Sequence, residues 1–300
     1  MNQKNTDYVV TLVSSKDKAC LEAQLLQTVQ NSLANFSSLS WLSENIAADL
    51  FFQSSDPSCV EKNLRTALGN APVDIIIQPV QNRKKKLFLA DMDSTMIKQE
   101  CIDELAAFVG LKSEVSEITD RAMRGELEFE PALRERVSLL KGLNISVVDD
   151  IIANHLTLTD GGRELVQTMR SNGAYTCLVS GGFTLFTSRI GAMIGFHEDR
   201  SNLLELKGDI LKGTVQEPIL GKEAKLATLI ELRNRFNLKA YDTLAVGDGA
   251  NDLAMLGEAG LGVAFRAKPT VAAAAHARID CSDLRTLLYA QGYKSVEFVT

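Results

Sequence analysis

Hydrophobic and polar positions change rhythm twice along this chain. Tyr8–Ser14 (YVVTLVS) is a β-branched, apolar run and reads as a strand. Asp17–Leu33 carries leucines at 21, 25, 26 and 33, near helical spacing, and predicts a helix. Ser40–Glu44 and Ala47–Phe52 read as two short strands, and Val73–Gln78 as a further one. Between them Val60–Leu68 reads as a helix, with Asp56, Pro57 and Ser58 as its start signals. This βαββαβ order predicts a ferredoxin-like domain over residues 1–80. Gln81–Lys86 (QNRKKK) then breaks the pattern. Its four consecutive cations are either a nucleic-acid patch or a solvated linker, and the sequence leaves both open.

From Leu87 short apolar strands alternate with helices. Leu87–Ala90, Ala174–Val179, Thr243–Val246 and Gly262–Phe265 are the strands; Gly161–Asn172, Glu223–Phe236 and Asp252–Glu258 are helical. Leu203–Leu206 and Ile210–Val215 flank Lys207-Gly208-Asp209, a hairpin signal. Residues 99–150 are helical and charged. Such alternation predicts an α/β domain with a parallel sheet covered by helices on both faces, over residues 87–300.

Composition adds limits. A length of 300 residues fits two domains, and 45% hydrophobic with 23% charged residues is ordinary globular usage. A formal net charge of -6 gives no global basic field, so a long nucleic acid is not an expected partner. No apolar run approaches the ~18–20 residues that span a bilayer, and MNQKNTDYVV reads as no secretory signal. Cys20, Cys59, Cys101, Cys177 and Cys281 are widely spaced and form no CxxC pair, which fits a reducing cytoplasm. With only three histidines, the chemistry is expected to rest on carboxylates.

The most informative segment is Leu87–Thr95 (LFLADMDST). A buried strand ends in Asp91 and Asp93, and if the extended geometry persists both carboxylates face the same side at the carboxyl end of the sheet. Two such groups repel each other, so a shared proton or a hard cation such as Mg²⁺ is expected there, unless the pair simply caps a helix. Far downstream Val246–Asp252 (VGDGAND) adds Asp248, Asn251 and Asp252 on a glycine-loosened turn, again directly after a strand. Ser180-Gly181-Gly182 follows the strand Ala174–Val179 and offers a hydroxyl and backbone N–H groups for an oxyanion. Lys222 and Lys225 both precede Asp248 at the start of a helix, and nothing local chooses between them.

In this order the four segments resemble the haloacid dehalogenase superfamily of phosphohydrolases, whose four motifs they match. DMDSTMIKQECIDELA, EFEPALRERVSLLKGL, VSGGF and AVGDGANDLAML with the following AKP are similar, more narrowly, to its phosphoserine phosphatase family. The resemblance implies a Rossmann-like core with a small helical cap at about 99–150, inserted after the first strand. It also implies that residues 1–80 are an ACT-like domain, with 81–86 as a basic linker.

It further implies O-phosphoserine as substrate, released as serine and phosphate in the last step of L-serine synthesis. Asp91 is then the nucleophile that forms an aspartyl-phosphate, and Asp93 the general acid and base. One Mg²⁺ is held by Asp91, the Asp93 backbone carbonyl and Asp248, with Asp252 supporting that shell. Lys225 sits against phosphate and Asp91. Ser180, Gly181 and Asn251 bind substrate. Glu100 takes the substrate ammonium and Arg136 its carboxylate, a task suited to a bidentate guanidinium. Without the resemblance, Arg134 and Arg136 are equal candidates on one helix. Met123 and Phe129 are either core or cap residues closing over the substrate, with Lys98–Cys101 and Leu143–Val147 as hinges. Two other readings stay open: action on another small phosphomonoester, and an amino-acid sensor with a vestigial core. A regulatory site in the N-terminal domain requires a homodimer.

Overall fold

The computed structural model describes residues 6–300, so residues 1–5 of the expected N-terminal domain lie outside the described residues. The chain divides into two units: 1–85 with 160–173 and 277–300, and 86–159 with 174–276.

The first unit is built on strands β1 (Thr6–Ser14), β2 (Phe36–Ser43), β3 (Ala47–Ser54) and β4 (Val73–Pro79), with helices α1 (Ala23–Ser32) and α2 (Pro57–Leu68). The antiparallel sheet runs β2-β3-β1-β4, the order of a ferredoxin-like sandwich. Val10 and Leu12 on β1 meet Leu26 and Val29 of α1 and Leu64 of α2 in one core. The opposite face of β1 is buried too, because Val13 packs with Leu42, Ala47 and Tyr289. Burial on both faces explains why β1 is an apolar run and not an alternating one.

Helix α2 starts where the sequence predicts, with Asp56 accepting the N–H groups of Ser58 (3.1 Å) and Cys59 (3.2 Å). Helix α1 starts at Ala23, six residues later than expected from Asp17. Leu21 is drawn into the core, and its N–H donates to the Asn45 carbonyl (3.2 Å). The cationic run is absorbed structurally. Arg83 forks onto Asp49 (2.8 and 3.0 Å), Lys84 lies over the Tyr293 ring, and Lys86 pairs with Asp242 (3.0 Å).

The second unit opens with β5 (Leu87–Ala90), followed by helices α3 (Cys101–Ala107), α4 (Lys112–Met123), α5 (Phe129–Leu139) and α6 (Val147–Asp150). Helix α7 (Gly162–Ser171) belongs to the first unit. Strand β6 (Tyr175–Phe183), helix α8 (Thr184–Ile194), strand β7 (Glu198–Asn202) and the hairpin β8 (Leu204–Lys207) and β9 (Ile210–Val215) come next. Helix α9 (Lys222–Arg235), β10 (Thr243–Gly247), α10 (Leu253–Glu258), β11 (Leu261–Phe265) and α11 (Pro269–Ala274) complete it. The short strand β12 (Ala277–Ile279) and helix α12 (Thr286–Ala290) lie in the first unit.

Parallel strands of the second unit run β11-β10-β5-β6-β7, so the first strand in sequence is central. The chain leaves β5 to one neighbour, β6, and later returns on its other side as β10. Strand order therefore reverses at β5, and a crevice opens at its carboxyl end, where ligands of open α/β sheets bind. The four helices α3–α6 stand over that edge as a cap. Its entry and exit strands are tied together, with Lys98 N–H donating to the Thr157 carbonyl and Thr159 N–H to that of Met96 (2.9 Å each).

Candidate active site

Asp91 leaves β5 with its N–H donated to the Val246 carbonyl (3.0 Å), which fixes it at the crevice floor. The extended geometry does not persist past it. Residues 92–96 wind into a tight turn, with Ser94 at a φ of 55°. The two motif aspartates consequently serve different surroundings. Asp93 accepts the Cys101 N–H (2.7 Å) on one oxygen and the Ser180 hydroxyl (3.2 Å) on the other. Asp91 instead groups with Asp248 and Asp252, ligand oxygens of all three lying within 4.8 Å of one another.

Lys225 is the cation inside this group. It donates to Asp91 (2.8 Å) and Asp252 (2.7 Å) and is fully buried on the inner side of α9. Lys222, one turn earlier, is exposed and pairs with Glu223 (3.6 Å), so helical geometry decides what the sequence left open. Three carboxylates around one ammonium leave two uncompensated negative charges. Burial and the neighbouring Asp252 and Asp248 push the Asp91 carboxyl well above its ordinary range, against the opposing Lys225. Burial and Asp252 push Asp248 up to about 7. Burial works against the Lys225 ammonium, but Asp252 and Asp91 outweigh it and hold it above its usual value.

The donor set fits a hard divalent ion. Asp252 is committed on both oxygens, to Lys225 and to the N–H groups of Asp248 (3.2 Å) and Gly249 (3.1 Å). Asp91 and Asp248 each keep one oxygen with no hydrogen bond from the described residues, since Asp91 binds Lys225 and the Met92 N–H through Oδ1 and Asp248 binds Thr95 (3.1 Å) through Oδ1. Two free carboxylate oxygens beside two excess charges match an oxygen-ligated cation such as Mg²⁺.

Above this floor a crevice is lined by Asp91, Asp93, Glu100, Arg136, Ser180, Gly181, Asp248 and Asn251, with Ile102, Met123, Phe129 and Leu133 as its apolar wall. The Ser180 hydroxyl accepts the Gly182 N–H (2.8 Å) and donates to Asp93, so it holds that carboxyl as well as facing the crevice. Asn251 Oδ1 is buried with no hydrogen-bond partner among the described residues, an unmet hydrogen-bonding need at the crevice wall. From the cap, Phe129 lies against Gly181 and Gly221, where an added Cβ would stand 2.7 and 3.3 Å from its ring; Met123 Sδ lies 2.8 Å from the same point on Gly249. Both cap residues thus close over the loops of the core.

Glu100 and Arg136 face the same crevice from α3 and α5. Glu100 accepts the Ser94 hydroxyl (2.5 Å), and burial with Asp93 and Asp248 nearby holds its carboxyl well above the usual range. Arg136 is 3% exposed and pairs with no carboxylate among the described residues. Its Nε donates to the Ala132 carbonyl (3.0 Å) and its Nη1 to Thr119 (2.9 Å). Arg134 points away, half-exposed, and pairs with Glu217. Sequence reasoning missed Thr95, which steadies Asp248, and Asn202, whose amide grips the Gly181 carbonyl (2.8 Å) and the Leu220 carbonyl (3.2 Å). Thr95 stands inside the DMDST motif and was legible there; nothing local marks Asn202.

Among known proteins, the profile of haloacid dehalogenase-like hydrolases matches residues 85–260. A probable phosphoserine phosphatase of Schizosaccharomyces pombe is 40% identical over 243 residues, covering 80% of each chain. A crystal structure of a HAD-family hydrolase from Salmonella enterica serovar Typhi superposes with a TM-score of 0.81 at 30% identity, over 95% of this chain and 98% of that one. A structure of the phospho-aspartyl intermediate analogue of a phosphoserine phosphatase is 41% identical with a TM-score of 0.65, over 69% of this chain and 98% of that one.

Proposed function

The chain belongs to the phosphoserine phosphatase family of the haloacid dehalogenase-like hydrolases, and we propose that it hydrolyses O-phosphoserine to serine and phosphate through an aspartyl-phosphate on Asp91. One observation carries the substrate choice. A buried guanidinium with no ion pair among the described residues, Arg136, and a part-buried carboxyl, Glu100, share a crevice with the nucleophile. An uncompensated buried charge is costly, so each calls for an opposite group on the ligand. An amino acid supplies both, its carboxylate to Arg136 and its ammonium to Glu100, and its phosphate reaches the floor.

There a carboxylate oxygen of Asp91 attacks phosphorus in line, and the bond from phosphorus to the serine oxygen breaks. Asp93 gives its proton to that oxygen. Burial raises its carboxyl, which favours the protonated form, while the Cys101 N–H and Ser180 hydroxyl pull the other way and make the proton transferable. Asp93 then takes a proton from water, the water oxygen bonds to phosphorus, and the acyl-phosphate bond breaks to restore Asp91. Lys225 and the N–H of Gly181 sit where phosphate oxygens gather charge, and Asn251 offers its amide to them. Mg²⁺, held by Asp91, the Asp93 backbone carbonyl and Asp248 with Asp252 behind them, would offset the two excess negative charges and the phosphate dianion. Phe129 and Met123 exclude bulk water over the site.

The division into a module at 1–80, a link at 81–86 and an enzyme core at 87–300 is part of this reading, although 160–173 and 277–300 group with the first unit; every residue of the site lies in the second. So is the cytoplasm as its location: no helix among the described residues is long and apolar enough to cross a membrane, and all five cysteines are free. We read the ferredoxin-like sheet as an ACT-like module that binds its regulatory ligand as a homodimer; unchanged serine sensitivity after its removal would oppose that. The test of the main reading is a hydrolysis panel with and without Mg²⁺. Phosphoserine should exceed phosphoethanolamine and p-nitrophenyl phosphate by at least about tenfold in kcat/KM, the value of one lost charge-assisted contact. Equal rates on all three would sink it.

A further inference from the structure

Arg136 is aimed by a partly buried relay across three cap helices. Asp103 on α3 accepts the hydroxyls of Ser116 (2.6 Å) and Thr119 (2.9 Å) on α4, and the Thr119 oxygen accepts Nη1 of Arg136 on α5 (2.9 Å). Thr119 is 3% exposed, so no water competes for its oxygen. The Thr119 proton points to Asp103, or to the Val115 carbonyl at the same distance (2.9 Å), and its lone pairs are then left for the guanidinium. On the other side, the Ala132 carbonyl holds Nε (3.0 Å). Two fixed acceptors at Nε and Nη1 define the plane of the fork and leave Nη2 for a ligand. Asp103 also acts at longer range: after burial, which lowers the Arg136 pKa, it stands with Glu100 among the carboxylates that support the cation.

We propose that Thr119, backed by Asp103, is the positioning residue that presents Arg136 to the substrate carboxylate. This rests on the reading of Arg136 given above. A hydroxyl is the suitable intermediary here. A carboxylate placed directly on Arg136 would satisfy it and compete with the ligand, whereas a neutral acceptor orients the fork and leaves its charge unpaired. The relay also makes substrate reading depend on correct packing of α3, α4 and α5 together.

The test compares phosphoserine with phosphoethanolamine, which keeps the phosphate and ammonium but has no carboxylate. Thr119→Val keeps the shape and removes the acceptor. The kcat/KM ratio of phosphoserine over phosphoethanolamine should fall about tenfold, carried by KM and not by kcat, and Thr119→Ser should restore it. Asp103→Asn, which keeps the volume but not the charge, should shift the ratio in the same direction and serves if the valine variant does not fold. If Arg136→Ala collapses the ratio while Thr119→Val and Asp103→Asn keep the wild-type value, the positioning role is overturned and the Arg136 reading stands. If Arg136→Ala itself keeps the ratio, the Arg136 reading fails and this inference falls with it.

Discussion

Replacing Lys225 with methionine removes the ammonium from a cluster that cannot reach water. Lys225 and Asp252 side chains are fully buried and that of Asp91 nearly so, at 6% exposure. Methionine fills most of the volume, so the loss is electrostatic and not a cavity. Breaking a buried pair by deleting one partner costs about 3–5 kcal/mol, because the survivors keep their desolvation penalty. Here two carboxylates lose their shared partner, which places the expected loss at the upper end of that range at pH 8 in chelator. The cost should shrink at pH 5. The Asp91 carboxyl is already held well above its ordinary value, and losing Lys225 raises it further. A carboxyl raised in the folded state stabilises fully below its unfolded pKa and loses that contribution as pH rises through the folded value. Urea unfolding of wild type and variant at both pH values reads the difference directly. A loss under about 1 kcal/mol at pH 8, or a larger loss at pH 5, would refute the reasoning.

Other expectations follow from single contacts. Asp74 is buried in the first unit and accepts the N–H groups of Asp280 (2.8 Å), Cys281 (3.1 Å) and Ser282 (2.8 Å), plus the Ser282 hydroxyl (2.5 Å). Asp74→Ala should therefore cost about 2–4 kcal/mol in urea unfolding, and a change below about 0.5 kcal/mol would contradict the clasp. Gly181→Ala places a Cβ 2.7 Å from the Phe129 ring, so the ring must leave the crevice. KM for phosphoserine should rise several-fold, about as much as in Phe129→Ala, and the double variant should show less than the sum of the two. Additive losses would mean that the glycine acts through something other than Phe129.

Legibility in the sequence followed the physics of each element. Strands buried on both faces, such as Leu87–Ala90 and Thr243–Gly247, are short apolar runs, and the carboxylates that end them stand out against that background. Strand β7 (EDRSN) was not legible: it lies at the edge of its unit's sheet, and its polar side chains give no strand pattern. Choices between neighbours on one helix were equally hidden. Lys222 and Lys225, or Arg134 and Arg136, differ only in which side of the helix meets the core, and that depends on contacts distant in sequence. The separation of Asp91 from Asp93 was lost for a different reason. It comes from the turn at 92–96, where Ser94 adopts a left-handed conformation that its residue type does not announce. Thr119 and Asp103 look like the polar positions of a solvated helix until α3, α4 and α5 are packed together.

Trapping the covalent species tests the central claim most directly. Wild-type enzyme with Mg²⁺ and phosphoserine, quenched in acid within a turnover and reduced with borodeuteride, should show Asp91 converted to deuterium-labelled homoserine by mass spectrometry, since hydride displaces the phosphate from the acyl-phosphate. Asp91→Asn should fold, carry no label and turn over no substrate. Label on another residue, or turnover by Asp91→Asn, would contradict the account.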